Sequence, residues 1–356
     1  MKSYALYRLP QAAQAVRIEC GDSPRVLRSI TEADTAEGYL IAPFQTEADT
    51  PIVLLPPDAI ATVPLPSPPP STDCAPHPTG QSNPPQAGRE EYAAEFRQAH
   101  ALLSTGICRK IVLARAEAVP LPSTTDDYTD LFIRACLLYP QCFVALFSTP
   151  QTGTWLTVTP ETLLEADGAR WRTMALAGTM ERRGSSHAAA PIWNAKNKLE
   201  QALVTDFIRT ELADITPALD ISTPHTRYIG SVAHLQTDIS FPRHGHIGIG
   251  ALLQRLHPTP AVSGLPRRAA CEAIARIEST PRRYYSGFSG PLRLQGATRL
   301  FVTLRCMEFF PEKAIQHAGG GLLTESTEAD ERAETCRKLE IARAILTAVY
   351  PPKSAV

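Results

Sequence analysis

Residues 142–179 read CFVALFSTPQTGTWLTVTPETLLEADGARWRTMALAGT, and this run decides the fold class. Cys142 to Ser148 is an apolar stretch with the look of a buried strand. Thr154 to Thr159 is a second strand, broken at Thr159-Pro160-Glu161. Leu163 to Ala166 leads into Asp167-Gly168, a hairpin-turn dipeptide, and Trp171 to Ala177 returns, ending at Gly178-Thr179. Strands joined by links too short to hold a crossover helix must run antiparallel.

Helices flank this run on both sides. Upstream, 127–139 reads as a helix, Arg109 to Arg115 as a buried strand, and 90–104 as an amphipathic helix ending near Gly106. Downstream, the pattern predicts a long helix over about 193–212, strands near 226–235, a helix near 247–255 and a helix around 267–278 after Pro266. A glycine-rich hairpin, Tyr285 to Arg305, leads to a strand Leu300 to Met307. The chain then offers a strand over 313–318, a Gly319-Gly320-Gly321 turn and a helix over about 328–348. Hairpins mixed with helices, without strict βαβα alternation, predict an α+β fold rather than a doubly wound sheet. No internal repeat is present.

Proline divides the chain. Residues 51–86 carry a dense cluster, with Pro56-Pro57, Pro68-Pro69-Pro70 and Pro84-Pro85, which favours extended chain and resists helix. The expected organisation is therefore strands over 1–50, with Tyr39 to Phe44 one of them, a proline-rich connection over 51–88, and a main body over 89–350.

The chain has 356 residues, with 35 Lys and Arg against 36 Asp and Glu. That length allows one to three domains, and the balanced charge gives no basic stripe for nucleic acid or a membrane surface. No apolar run reaches the roughly 20 residues of a membrane helix. Residues 1–16 lack a continuous apolar core of the secretory kind, so a cytoplasmic protein is expected. The eight cysteines (20, 74, 108, 136, 142, 271, 306 and 336) include no Cys-x-x-Cys pair, which points to reduced, packed thiols rather than a zinc knuckle.

Several residues carry possible chemistry. On the 109–115 strand, Lys110 shares the face of Val112 and Ala114, opposite Ile111 and Leu113. An ammonium on an inward face is costly unless paired or neutral, and a neutral lysine can act as a general base; the competing reading is a lysine snorkelling to water. Glu161 sits where a strand is broken, either as an acid reaching a substrate or as a turn carboxylate in water. Glu200 lies at the border of the stripe Val204, Phe207 and Ile208. Glu331, Glu334 and Lys338 share one face of the last helix. Carboxylates converging from two helices suit Mg²⁺; alone, the last helix reads rather as a solvated face with Glu334–Lys338 pairing. Ala318-Gly319-Gly320-Gly321 could offer backbone N–H groups to an anion or be a simple turn. Arg305, alternating with apolar neighbours, calls for a carboxylate partner from the protein or a ligand. His234 reads as a core histidine.

Leu256-His257-Pro258-Thr259-Pro260-Ala261-Val262-Ser263-Gly264-Leu265-Pro266 closely resembles the signature of the chorismate-utilising enzymes, which include isochorismate, salicylate, anthranilate and aminodeoxychorismate synthases. Counterparts follow in the family's order for KIVLAR (110–115), TPE (159–161), ALAGT (175–179), KNKLEQ (196–201), HLQT (234–237), TLRC (303–306), AGGG (318–321) and ERAETCRKL (331–339). The resemblance covers about residues 90–348 and implies the family fold, one large α+β domain with a β-sandwich-like core flanked by helices. Family members that install an amino group typically carry glutamine at the position of Lys110, so the lysine resembles the water-activating branch. Aminodeoxychorismate synthases place a nucleophilic lysine where Ala177 stands. Lyase-competent members usually carry threonine at the position of Ala261, while Tyr285 occurs in both branches.

The resemblance implies an isochorismate synthase acting on chorismate, with salicylate synthase and a non-catalytic chorismate binder as alternatives. Its product would feed menaquinone synthesis, or siderophore supply as the second choice. It implies Lys110 as the base that activates water and Glu161 as the acid that protonates the departing hydroxyl. It further implies Mg²⁺ on Glu200 and Glu334 with Glu331 nearby. Arg305, Lys338 and the N–H groups of Gly319 and Gly321 would bind substrate carboxylates, and Thr179, His234, Ala261 and Tyr285 would line the pocket. A monomer without a glutamine amidotransferase subunit is expected. Two positions depart from the family pattern: Asn197 stands where many relatives carry an acid, and Gln201 replaces a frequent histidine.

Overall fold

The computed structural model describes residues 3–21, 24–66, 88–122, 127–181, 191–243 and 247–351. Two large antiparallel sheets form the body of the molecule. The first runs Gly264–Leu265, Lys110–Pro120, Lys313–Leu322, Met307–Phe310, Gly153–Thr159, Phe143–Thr149, Ser3–Arg8, Gln14–Cys20 and Ala59–Pro64. The second runs Asp220–Ile221, Val232–Pro242, Arg170–Glu181, Thr162–Asp167, Arg299–Val302, Phe288–Leu292, Gly38–Ala42, Ile52–Leu55 and Arg25–Leu27, with His225–Ile229 also pairing to Val232–Pro242. The helices are α1 (Arg89–Ser104), α2 (Thr129–Leu138), α3 (Ala195–Leu212), α4 (Ile249–Leu256), α5 (Arg267–Ile277) and α6 (Glu328–Val349).

The quoted run explains the layering. Phe143 to Thr149 is buried at every position, so it has an apolar partner on each face. Val144 and Leu146 pack outward with Leu131 and Phe132 of α2 and Ile345 of α6. Phe143, Ala145 and Phe147 pack inward between the sheets with Tyr39, Trp155 and Phe301. On the far side of the second sheet, Val204 and Ile208 of α3 and Leu252 and Leu253 of α4 close the core. The order is helices, sheet, sheet, helices, with α1 and α5 against the Lys110 end of the first sheet. No helix among the described residues is long and apolar enough to cross a membrane.

The break at Thr159-Pro160-Glu161 is a passage between sheets. The chain leaves the first sheet at Thr159 and enters the second at Thr162. A second passage runs beside it in the opposite sense. The strand predicted over Leu300 to Met307 is in fact two strands, Arg299–Val302 in the second sheet and Met307–Phe310 in the first. Arg305, in the gap, adopts a φ of +47° that no strand residue takes. The passages are tied by Val302 N–H to the Glu161 carbonyl (3.0 Å) and by Thr157 Oγ1 to the Leu304 carbonyl (2.9 Å).

Two further readings change. Gly319, Gly320 and Gly321 are not a turn; they lie within the strand Lys313–Leu322, opposite Ala114, Leu113 and Val112. They are glycines because their neighbours need the space, as shown below. Residues 52–55 and 59–64, inside the proline-rich stretch, are sheet strands, because the prolines flank the first, which pairs on both sides, and the second lies at a sheet edge. Residues 67–87, the rest of that stretch, lie outside the described residues, as does Cys74. The other seven cysteines are buried. The strands before it belong to the core: Ser3–Arg8 pairs with Phe143–Thr149, and Gly38–Ala42 with Phe288–Leu292.

Candidate active site

Both passages deliver a charged side chain into the space between the sheets. Glu161 is 2% exposed, and its carboxyl accepts no hydrogen bond among the described residues. Burial pushes its pKa up to about 7, against the downward pull of Arg305, Lys110 and Lys338. Arg305 is buried too and has no carboxylate partner among the described residues; its Nη2 donates to His234 Nε2 at 2.5 Å, and its Nη1 has no hydrogen-bond partner. Arginine only donates, so His234 Nε2 accepts and the ring proton belongs on Nδ1, beside Thr179 Oγ1 at 3.2 Å. Burial and then Arg305 hold His234 well below the usual imidazole range, so the ring is neutral. The result is an aimed guanidinium with one free donor.

Lys110 is fully buried rather than reaching to water, and its Nζ lies 3.0 Å from Glu200 Oε1. Glu200 comes from α3, which starts where the Asn194 side chain accepts from Asn197 N–H. The Lys110–Glu200 pair sits directly over Gly321: a Cβ there would lie 2.0 Å from Glu200 Oε1 and 3.1 Å from Lys110 Cε. α3 can approach because Gly178 takes φ +70° at a bulge, where a side chain would meet the Asn197 carbonyl at 2.8 Å.

Across the same glycines stands α6. Glu331 Oε2 lies 3.0 Å and Glu334 Oε1 3.8 Å from where a Gly320 Cβ would be. Burial and the neighbouring Glu334 charge raise the pKa of Glu331. Burial acts the same way on Glu334, but Lys338, Lys196 and Arg337 outweigh it and hold Glu334 low. Lys338 Nζ donates to Glu334 Oε1 (2.7 Å) and to the Gly319 carbonyl (2.8 Å). Val112 and Ala114 turn their N–H groups away from this strand, to the Ser263 carbonyl and Glu278 Oε1. The opposing Gly321 and Gly319 are therefore non-hydrogen-bonded pairs, with their N–H groups outside this ladder.

These groups enclose a cavity of about 60 Å³. Glu161, Glu200, Arg305, Lys338, Gly319 and Gly321 line it, together with Thr179, His234, Ala261 and Tyr285. Lys110, Glu331 and Glu334 stand behind that wall. A wider, more open cleft of about 570 Å³ lies elsewhere, but its arginine and carboxylate rim is surface-paired, as in Arg299–Glu165. Convergent buried charges and displaced pKa values mark the smaller cavity as the site.

Residues 66–347 match the family described as chorismate binding enzyme. The chain belongs to this family. Chorismate-binding enzymes similar to it include the salicylate biosynthesis isochorismate synthase of Pseudomonas aeruginosa, 32% identical over 276 residues that cover 73% of this chain and 56% of that protein. The chain thus spans little more than half the length of that relative. The isochorismate synthase EntC of Escherichia coli is 30% identical over 268 residues, covering 73% of this chain and 67% of EntC. Among solved structures, MenF, the menaquinone-specific isochorismate synthase of Escherichia coli, superposes with a TM-score of 0.77 at 22% identity, over 97% of this chain and 89% of that one. The α+β fold is therefore that of the chorismate-utilising enzymes.

Sequence reasoning missed three parts of this chorismate-binding enzyme's site. Lys196, one turn before Glu200, is paired with Glu331. Arg282 and Glu278 form a buried pair that stands in for a missing strand: Arg282 donates to the Val112 (2.8 Å) and Val262 (2.6 Å) carbonyls, and Glu278 accepts from Ala114 N–H (2.8 Å). His317 is stacked between Trp155 and Tyr285, with ring centroids 5.7 and 5.2 Å away, and burial lowers its pKa to about 3. None of the three carried a local signal: Lys196 pairs across to another helix, Glu278 and Arg282 lie just past the end of α5, and His317 sits in an apolar strand. Gln201 is a strut, its amide satisfying Ala177 N–H (2.8 Å) and the Ala175 carbonyl (2.9 Å). Asn197 donates to the Thr179 carbonyl (3.3 Å).

Proposed function

We propose that the protein is an isochorismate synthase, converting chorismate to isochorismate. The observation that carries this reading is Glu161: a buried carboxyl holding its proton to about pH 7, on the same cavity as the free donor of Arg305 and within electrostatic reach of Lys110. An acid lining the cavity and an amine just behind its wall can supply a proton at one end of a substrate and remove one at the other. Lys110 takes the proton of a water that adds at C2 of the ring, both ring double bonds shift by one position, and Glu161 protonates the departing C4 hydroxyl. Arg305, oriented by His234 and through it by Thr179, binds one carboxylate of the dianionic substrate. Lys338 and the Gly319 and Gly321 N–H groups bind the other. Ala177 supplies no nucleophile, so water is the attacking group.

The site also suits Mg²⁺. Glu200, Glu331 and Glu334 are hard oxygen donors, and Glu331 Oε2 is buried without a hydrogen-bond partner. Among the described residues no three acidic, histidine or cysteine side chains form a ready chelate. Mg²⁺ needs only one or two protein carboxylates when water and substrate oxygens complete its shell, so the residues fit a cation that enters with water in its open positions, which substrate oxygens then take. When bound it would supply positive charge to the ring carboxylate. Menaquinone synthesis is the destination proposed for the product, with siderophore supply as the alternative.

The test is incubation of purified protein with chorismate, with and without Mg²⁺, and chromatographic separation of the products. Isochorismate is expected, dependent on Mg²⁺. Salicylate plus pyruvate as main products would reassign the chain as a salicylate synthase, and no turnover would favour a binding protein. Lys110→Met should lose on the order of 10²–10⁴ in rate with its circular dichroism spectrum kept; full activity would remove Lys110 from the mechanism.

A further inference from the structure

Each of the three metal-type carboxylates holds a lysine: Glu200 has Lys110, Glu334 has Lys338 and Glu331 has Lys196. Two of those lysines have other work, since Lys110 is the proposed base and Lys338 faces the cavity. Lys196 has neither role. It does not line the cavity, and Glu331 is its ion-pair partner.

We propose that Lys196 is a built-in competitor of the divalent cation, occupying Glu331 until metal displaces it and so setting the metal concentration the site requires. The inference rests on the reading that Glu200, Glu331 and Glu334 hold the metal. Glu331 is 1% exposed, so its carboxylate must find a partner inside the protein. Its Oε1 receives Lys196 and the Ser326 hydroxyl (2.7 Å), while Oε2 has no partner. The carboxylate is half satisfied, and the vacant oxygen faces Gly320, the side on which Glu334 also lies. The lysine side chain can leave: it is 23% exposed, against 0% for Lys110 and 14% for Lys338. Lys196 sits four residues before Glu200 on the same face of α3; the lysine reaches across to Glu331 of α6, while Glu200 pairs with Lys110. A cation entering there must either evict the ammonium or bind beside it against its charge. Both effects weaken metal binding.

A purely structural strut between α3 and α6 would act in the opposite sense, because losing it would let Glu331 drift. Metal affinity therefore separates the two roles without reference to turnover. The probe is Mn²⁺ in the absence of chorismate, with free ion followed by its paramagnetic resonance signal, on wild type, Lys196→Met, Lys196→Arg and Glu334→Gln. Lys196→Met should bind Mn²⁺ about five- to tenfold more tightly than wild type, the range set by giving up a partly buried ion pair. Lys196→Arg, which keeps the charge, should stay within about twofold of wild type. Thermal melting with and without Mn²⁺ guards against misfolding: Lys196→Met should melt lower than wild type without metal and recover with it. Equal or weaker binding by a folded Lys196→Met, with wild type binding and Glu334→Gln not, would overturn the lysine's role alone. Failure of every variant to bind would overturn the metal reading and this inference together.

Discussion

The raised pKa of Glu161 makes a stability prediction as well as a catalytic one. A carboxyl moved from 4.5 to about 7 binds its proton more tightly in the folded chain than in the unfolded one. Below about pH 4.5 both states hold the proton and the shift costs nothing. As pH rises toward 7 the unfolded chain releases its proton first, so folding stability falls. Above 7 the folded protein carries a buried, ionised Glu161, and the full cost is about 3 kcal/mol at 1.36 kcal/mol per pH decade. Glu161→Gln keeps the shape and never ionises. The difference in unfolding free energy between Glu161→Gln and wild type should thus move by about 3 kcal/mol in favour of the variant between pH 4.5 and pH 8. Glu331 and the other titrating groups are common to both proteins and cancel in that difference. Urea unfolding followed by tryptophan fluorescence at the two pH values measures it. A gap that stays constant, or moves against the variant, would refute the burial argument. The same proton appears in catalysis: kcat/KM of wild type should fall as pH rises through about 7, and Glu161→Gln should be lower by on the order of 10²–10⁴ throughout.

Gly321→Ala would place a methyl 2.0 Å from Glu200 Oε1, so the carboxylate must swing away from Lys110. Because a flexible side-chain end gives way, melting should shift by only a few degrees while kcat/KM falls by roughly tenfold or more; unchanged kinetics would show that the pair is not needed in place. Arg282→Met strands the Glu278 carboxylate in a buried setting and should cost about 3–5 kcal/mol in denaturant unfolding. A loss below about 1 kcal/mol would mean that the pair is not the clamp on the Val112 edge.

The α+β class, the hairpins over 142–179 and the α-helices α1 to α6 were readable because hydrophobic period and turn residues are local signals. Strand alternation placed Lys110 on the face of Val112 and Ala114 but left a lysine snorkelling to water as an open reading, which its complete burial removes. The passages between sheets were not readable. Nothing in Leu300 to Met307 marks where a strand ends, since its residues are apolar on both sides of the break; the end is set by Arg305 in a left-handed conformation, held by His234 from a strand 71 positions earlier in the chain. The Lys196–Glu331 pair joins helices separated by 135 positions, and such a pairing has no trace in either helix read alone. The glycine triplet was misread for a related reason. Local rules count three glycines as a turn, whereas here the demand for them comes from side chains on other elements.

That demand links the fold to the chemistry. In an ordinary strand of this sheet, the residues at 319, 320 and 321 would carry side chains. Each would collide with a group the site uses: a Cβ at 319 would lie 2.8 Å from the Tyr285 hydroxyl, one at 320 would lie 3.0 Å from Glu331 Oε2, and one at 321 would lie 2.0 Å from Glu200 Oε1. The two faces of the bare strand thus admit different groups. Gly320 opens toward the carboxylates of α6, while Gly319 and Gly321 open toward Tyr285, Glu200 and Lys110. A strand stripped of side chains also loses apolar packing and resists ordering. Its long pairing with the Lys110 strand and the ion pairs from α3 and α6 offset that loss. The base, the cation-type carboxylates and the backbone donors are therefore drawn together around one strand, on its two faces, because that strand gives up its side chains there. The acid reaches them from the neighbouring seam, where the chain changes sheets.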